Sequence, residues 1–307
     1  MKKFLFLLLS ALIGTGLSSC NNDREVKIIA PNGTPALGLA NFYYDHQDEY
    51  DVFDVKEGSD ALVAAFTSKD YDIIVAPTNL GAKFYNENQK YVLYQTIVWG
   101  NLYLATTDTT IKSFVDLNNK DVTLFGKNST PDIIMKSLVK HYNININLNY
   151  VEDVSTANAL LKTNKCQTIV SAQPSLSKIA STIEGLKVID LQNEFSLVSQ
   201  KGSYPQASIF VKSSEKDNLK DVLLHMTESV NKSISEIEIT AENAVNMYSS
   251  FTKLGKECLI KAIPNCHFSI EKNQKELIEY YFNTMIELGF SKQIGEKLPD
   301  ENFYFSF

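Results

Sequence analysis

The phrase Asn-x-Thr-Pro occurs twice in equivalent surroundings, and this duplication constrains the fold more than any other feature of the chain. In the first copy an apolar run over 26–30 leads into Pro31-Asn32-Gly33-Thr34-Pro35 and then a helical pattern over 36–44. In the second, an apolar run over 122–125 leads into Gly126-Lys127-Asn128-Ser129-Thr130-Pro131 and a helical pattern over 132–142. An offset of about 96 residues also aligns Ala61-Leu62 with Ala159-Leu160 in second helices. It further aligns Ile73-Ile74-Val75-Ala76-Pro77 with Thr168-Ile169-Val170-Ser171-Ala172-Gln173-Pro174, strands that end at a proline. Alternating strand and helix patterns predict an α/β protein, and the internal self-similarity predicts two lobes of the same kind.

The repeated phrase carries its own chemistry. Threonine is a good N-cap, and proline in the first helical turn costs nothing because its missing N–H would be unpaired there. Each copy therefore predicts a helix start at the carboxyl end of a strand. Ligands of open α/β sheets bind at such ends, and free backbone N–H groups there favour a negative or strongly accepting group. One copy alone is explained as a good cap; two in register point to a shared cleft.

The amino terminus places the chain relative to a membrane. Lys2 and Lys3 precede an apolar run over 4–13 that is too short to cross a bilayer, and small residues follow, the layout of a cleavable export signal. Leu17-Ser18-Ser19-Cys20 resembles the lipobox of bacterial lipoproteins, in which that cysteine becomes the acylated first residue of the mature chain. Residues 1–19 are read as a discarded lipoprotein signal peptide, and 20–25 as a lipidated tether. The remaining 288 residues suffice for one large or two medium domains.

That mature chain carries all 36 acidic residues against 27 basic ones, a formal charge of −9. An acidic body argues against nucleic acid and against adhesion to anionic lipid through a basic patch, which leaves the lipid anchor as the membrane contact. The only arginine is Arg24, in the tether, so the body lacks a bidentate fork for a carboxylate or phosphate. His46, His141, His225 and His267 are scattered without metal-ligand or acid–base spacing, and no metal or cofactor is expected. Cys166 reads as a small core residue. Cys258 and Cys266 flank the turn signal Ile263-Pro264-Asn265, so a local disulfide between them is a candidate in an oxidising compartment.

Three further stretches carry a family resemblance. Asp72-Ile73-Ile74-Val75-Ala76-Pro77-Thr78-Asn79-Leu80-Gly81-Ala82-Lys83-Phe84-Tyr85-Asn86 resembles the signature after the third strand of substrate-binding lipoproteins of ABC importers. The group is the one related to nitrate, sulfonate, taurine and thiamine-pyrimidine binding proteins. Phe114-Val115-Asp116-Leu117-Asn118-Asn119-Lys120-Asp121-Val122 is similar to the phrase opening their second lobe, and Glu296-Lys297-Leu298-Pro299-Asp300-Glu301-Asn302-Phe303-Tyr304 to their tail.

The resemblance implies a type II periplasmic-binding-protein fold, two α/β lobes joined by a two-segment hinge. The expected crossovers lie near 103–107 and 203–208, giving lobe 1 as 26–104 with 206–307 and lobe 2 as 105–205. The last third reads as helices, with core stripes Leu219, Val222, Leu223, Met226, Val230 and Leu277, Tyr280, Tyr281, Met285, Leu288. Carried over by position, the ligand contacts are Asn32, Gly33 and Thr34 after the first strand and Thr78 and Asn79 after the third. Lys127, Asn128, Ser129 and Thr130 start the second lobe's first helix, and Gln173 precedes a proline where relatives often have glutamate. A neutral amide there suits a cationic ligand less than a carboxylate would. Trp99 and Tyr204, near the crossovers, are further candidates, each with a core role as the alternative.

The implied function is capture of a small polar molecule, anionic or heteroaromatic, by a monomer that delivers it to an ABC permease and its ATPase. No chemistry on the ligand is needed, and the chain has no Gly-x-x-x-x-Gly-Lys-Ser/Thr loop of its own. A ligand sensor for a membrane receptor, or an enzyme on the same scaffold, are the alternatives.

Overall fold

The computed structural model describes residues 25–50, 53–56 and 59–305. The expected signal segment 1–19, Cys20 and the tether as far as Arg24 lie outside the described residues. The chain opens with β1 (Ile28–Pro31), β2 (Phe53–Lys56), β3 (Ile73–Pro77) and β4 (Tyr91–Trp99). It then passes through β5 (Leu102–Thr106), β6 (Lys120–Phe125), β7 (Ile146–Val151), β8 (Thr168–Ala172) and β9 (Lys187–Asp190), and returns in β10 (Pro205–Lys212). Two five-stranded sheets result, ordered β2-β1-β3-β10-β4 and β7-β6-β8-β5-β9.

The two orders are the same topology written twice. In each sheet the fourth strand crosses from the other half of the chain and runs antiparallel: β10 to β3 and β4, and β5 to β8 and β9. The duplicated phrases follow β1 and β6, which hold the same place in their sheets. The prolines of the second pair of aligned runs close β3 and follow β8. Inner strands such as β3 are almost wholly apolar because helices cover both faces, whereas edge strand β7 alternates Ile146-Asn147-Leu148-Asn149 between half-buried and exposed.

Sheet membership changes at Gly100-Asn101 and again just before Pro205. The second change lies within the range expected, 203–208, whereas the first precedes the expected 103–107, most of which falls inside β5, so that Leu102, Tyr103 and Leu104 join the second sheet. The cause is conformational: Gly100 (φ 106°) and Asn101 (φ 94°) are consecutive left-handed residues that end β4 directly after Trp99.

The C-terminal helices return to the first sheet. Helix Lys220–Ser235 buries Val222, Leu223, Met226 and Val230 as expected. Helix Gln274–Glu287 buries Leu277, Ile278, Tyr281, Phe282 and Met285, so Ile278 and Phe282 take the core places expected of Tyr280 and Leu288. The tail is pinned to β4 by Phe305 N–H donating to the Leu93 carbonyl at 2.8 Å, and to helix Thr78–Asn88 by Tyr85 donating to Asp300 at 2.6 Å. No described helix is long and apolar enough to cross a membrane.

The candidate disulfide is not formed, since Cys166, Cys258 and Cys266 are all free. Cys266 turns inward, donates to the Ala262 carbonyl at 3.3 Å and is fully buried, which pushes its thiol pKa up to about 12. Cys258 stays half-buried on helix Lys256–Ala262. Cys166 is half-buried too, at the margin of a small cluster around Tyr103, Ala157, Leu161 and Ile169.

Gly100 provides a test of the crossover. A Cβ added there would overlap the Gln192 side chain, and the backbone angle is one that L-residues avoid. Gly100→Ala is expected to lower stability by about 1–3 kcal/mol, read from urea unfolding. An unchanged midpoint would contradict this account of the hinge.

Candidate functional site

Four strand ends meet where the lobes face each other: those of β1 and β3 from the first sheet, and of β6 and β8 from the second. Because β1 pairs with β3 and β6 with β8, each lobe presents its two ends about 5 Å apart.

The helix starts are set one residue differently from expectation. Gly33 (φ 93°) and Ser129 are the N-caps, so Thr34 and Thr130 are the first helical residues and neither hydroxyl caps its own helix. That shift frees Thr34 to reach across. Its Oγ1 donates to the Gln173 carbonyl at 2.8 Å and accepts from Asn101 Nδ2 at 2.7 Å. Asn101 completes the clamp: Oδ1 accepts from Gln173 N–H at 3.0 Å, and Nδ2 also donates to the Gln173 carbonyl at 3.2 Å.

One strand over, Thr130 Oγ1 donates to Asn79 Oδ1 at 3.5 Å and accepts from Tyr281 Oη at 3.3 Å. Thr34, Asn79, Thr130, Gln173 and Asn101 are all under a tenth exposed. The structure therefore brings together Thr34, Asn79, Thr130 and Gln173 from the expected set. Asn32 and Gly33 stand beside them on the β1 turn, Asn32 Oδ1 accepting from Ser250 at 3.0 Å, and a Cβ at Gly33 would meet nothing within 4 Å.

The other expected contacts lie outside these two links between the lobes. Thr78 Oγ1 bonds Ser208 at 2.8 Å, and Ser208 bonds Thr96 at 2.7 Å, a buried hydroxyl chain inside the first lobe. Tyr204 is fully buried in the hinge and donates to Gln192 Oε1 at 2.8 Å. Burial holds its phenol far above the usual range. Lys127 and Asn128 are exposed, and the Lys127 ammonium lies 5.2 Å from the centre of the Tyr150 ring. Ser129 Oγ donates to the Gly126 carbonyl at 2.7 Å. Trp99 is 4% exposed, and its indole N–H has no partner among the described residues.

The second helix start carries a buried carboxylate of its own. Asp132, fully buried in its first turn, accepts from Asn128 N–H at 2.9 Å, Lys136 Nζ at 3.0 Å and Tyr150 Oη at 2.7 Å. The chain's own carboxylate thus occupies the positive end of that helix.

A polar cluster that the scattered histidines gave no hint of also crosses the seam. Tyr103 donates to the Asn265 carbonyl at 2.6 Å, so its oxygen accepts from His267 Nε2 at 3.0 Å. Asp190 lies 3.4 Å from the same nitrogen. His267 is three places beyond Pro264 in a left-handed turn (φ 52°) beside β4, and no local motif signals that placement. Asn101 had a signal, the Gly-Asn dipeptide, which favours left-handed turns.

No protein-family model and no curated protein sequence matches the chain. Solved structures do. An ABC transporter protein from Parabacteroides distasonis is 20% identical, with a TM-score of 0.77 over 92% of this chain and 99% of that one. The periplasmic aliphatic sulphonate binding protein SsuA from Escherichia coli is 12% identical, with a TM-score of 0.67 over 90% and 92%. A Candida albicans protein described as having the generic periplasmic binding protein fold is 11% identical, with a TM-score of 0.55 over 91% and 99%. With the two matched sheets, these likenesses establish the periplasmic-binding-protein fold of type II, two α/β lobes on a two-segment hinge.

Asn101→Gly keeps the left-handed backbone and removes the three bonds that Asn101 contributes to the clamp, leaving the one from Thr34 to the Gln173 carbonyl. It is expected to cost about 1–3 kcal/mol in urea unfolding, whereas a loss within experimental error would show that Asn101 does not hold the lobes together.

Proposed function

We propose that this protein is a lipid-anchored, extracytoplasmic solute-binding component of an ABC importer, allied to the sulfonate, nitrate and thiamine-pyrimidine binding proteins. It captures a small polar molecule, anionic or heteroaromatic, between its lobes and hands it to the permease, with the ATPase driving uptake. Binding, not turnover, is the task assigned to the seam. The observation that carries the reading is the link from Thr34 to the Gln173 carbonyl, which joins the β1 end of the first lobe to the β8 end of the second. Supporting it are the fold and the descriptions of similar proteins, among them an ABC transporter protein, a periplasmic sulphonate binding protein and a ligand-binding component of an ABC-type import system.

The mechanism follows from the geometry. A ligand seated on one lobe's strand ends is covered when the other lobe rotates about Gly100-Asn101 and the segment before Pro205. Only the covered form brings both lobe tips into the spacing that a permease reads. Contacts are assigned to Asn32, Gly33, Thr34, Asn79, Thr130 and Gln173, with Ser129, Lys127 and Asn128 at the rim, Thr78 supporting from beneath, and Trp99 and Tyr204 at the hinge.

A thermal-shift screen of sulfonates, nitrate, pyrimidines and short carboxylates tests the reading. At about a hundred times its dissociation constant, a true ligand stabilises the fold by about 2.7 kcal/mol. Asn79→Ala and Thr130→Ala should weaken that ligand without unfolding the protein; unchanged affinity in both would move the site elsewhere. Cys20→Ser should release the protein from membranes, and a variant that fractionates with membranes as the wild type does would remove the anchor from the account.

A further inference from the structure

The Gln173 side chain takes no part in the lobe clamp that its own backbone completes. Its backbone N–H and carbonyl are consumed by Asn101 and Thr34. Its side-chain oxygen accepts from Ser177 N–H at 3.2 Å and from Ser177 Oγ at 2.8 Å. A backbone N–H only donates, so the atom facing it is the oxygen and the amide orientation is fixed by chemistry. The Nε2 group, with its two protons, points away from Ser177 and bonds to no described residue. The residue is 7% exposed.

We propose that Gln173 is the specificity-determining residue of the cleft and presents donors only, selecting an uncharged ligand with a hydrogen-bond acceptor edge, such as a carbonyl or ring nitrogen. This inference rests on the solute-binding reading above. A cationic amine would bring more donors to a donor and find no buried acceptor at this position. An oxoanion would offer acceptors but meet no compensating charge: the first turn of the nearby helix holds the buried carboxylate of Asp132, and Lys127 is exposed over Tyr150. A desolvated anion without a partner is far costlier to bury than a neutral acceptor.

Gln173→Glu tests this with almost no change of shape. The carboxylate keeps an oxygen for Ser177 and replaces both donors by an acceptor. Gln173→Met removes the donors without adding charge, which guards against a charge-induced folding defect; circular dichroism and melting of each variant without probe verify the fold. Calorimetry and thermal shift on the full mature protein would use uracil and nicotinamide as neutral acceptor probes, ethanesulfonate and nitrate as anions, and ethanolamine as the cation. The expected result is binding of a neutral probe to wild type, weakened about tenfold or more in both variants, with anions and ethanolamine bound more weakly. Tighter binding of an anion or of ethanolamine than of every neutral probe, or a neutral probe unaffected by either variant, would overturn the donor role while leaving the solute-binding reading intact. Failure of every probe to bind wild type at about 10 mM would count against the solute-binding reading itself and take this inference with it.

Discussion

One side chain, Asn101, ties the two halves of the molecule together. Its amide pairs with both backbone groups of Gln173 in the second lobe and with the Thr34 hydroxyl in the first. It does so from a left-handed backbone position directly after Gly100, at the point where the chain leaves one sheet for the other. Sequence, hinge and seam therefore converge on a single residue. A side chain of another shape at 101 would lose the bonds, and a chain without Gly100 would not deliver it there.

Around this clamp the seam is built from neutral groups. Hydroxyls and amides of Thr34, Asn79, Thr130, Gln173 and Tyr281 meet across it, each only partly satisfied by its neighbours. Bonds of 3.3–3.5 Å at Thr130 are weak and easily exchanged for others, whereas the 2.6 Å bond from Tyr103 to Asn265 is strong and set toward the hinge side. The arrangement combines a firm pivot with a soft contact at the strand ends, which suits lobes that part and rejoin. Formal charge stands at the margins, on Lys127 and Asp190, or is buried and answered, as at Asp132.

Much of this was legible from residues. The duplicated Asn-x-Thr-Pro phrase located β1, β6 and the helices after them, because Pro and Thr in a first helical turn have few other uses. The proline-ended runs located β3 and β8. What escaped was contact between residues far apart in the chain. Capping logic placed Thr34 and Thr130 as caps, and the true start one residue earlier turned both hydroxyls outward. Asp132 was invisible as the occupant of its own helix start, since nothing in the spacing shows that its carboxylate folds back to Asn128 N–H. The first crossover was placed a few residues late because the apolar run 102–106 reads equally well as the end of one lobe or the start of the next. His267, Tyr103 and Asp190 meet only because the C-terminal third returns to the first sheet, a long-range consequence that local patterns do not encode.

Small-angle X-ray scattering of the mature protein, free and saturated with a ligand identified by thermal shift, tests the central claim most directly. Two lobes hinged at Gly100-Asn101 and closed over a solute predict a smaller radius of gyration when saturated. A radius unchanged by a ligand that calorimetry shows to be bound would contradict closure, and with it the role given to the seam.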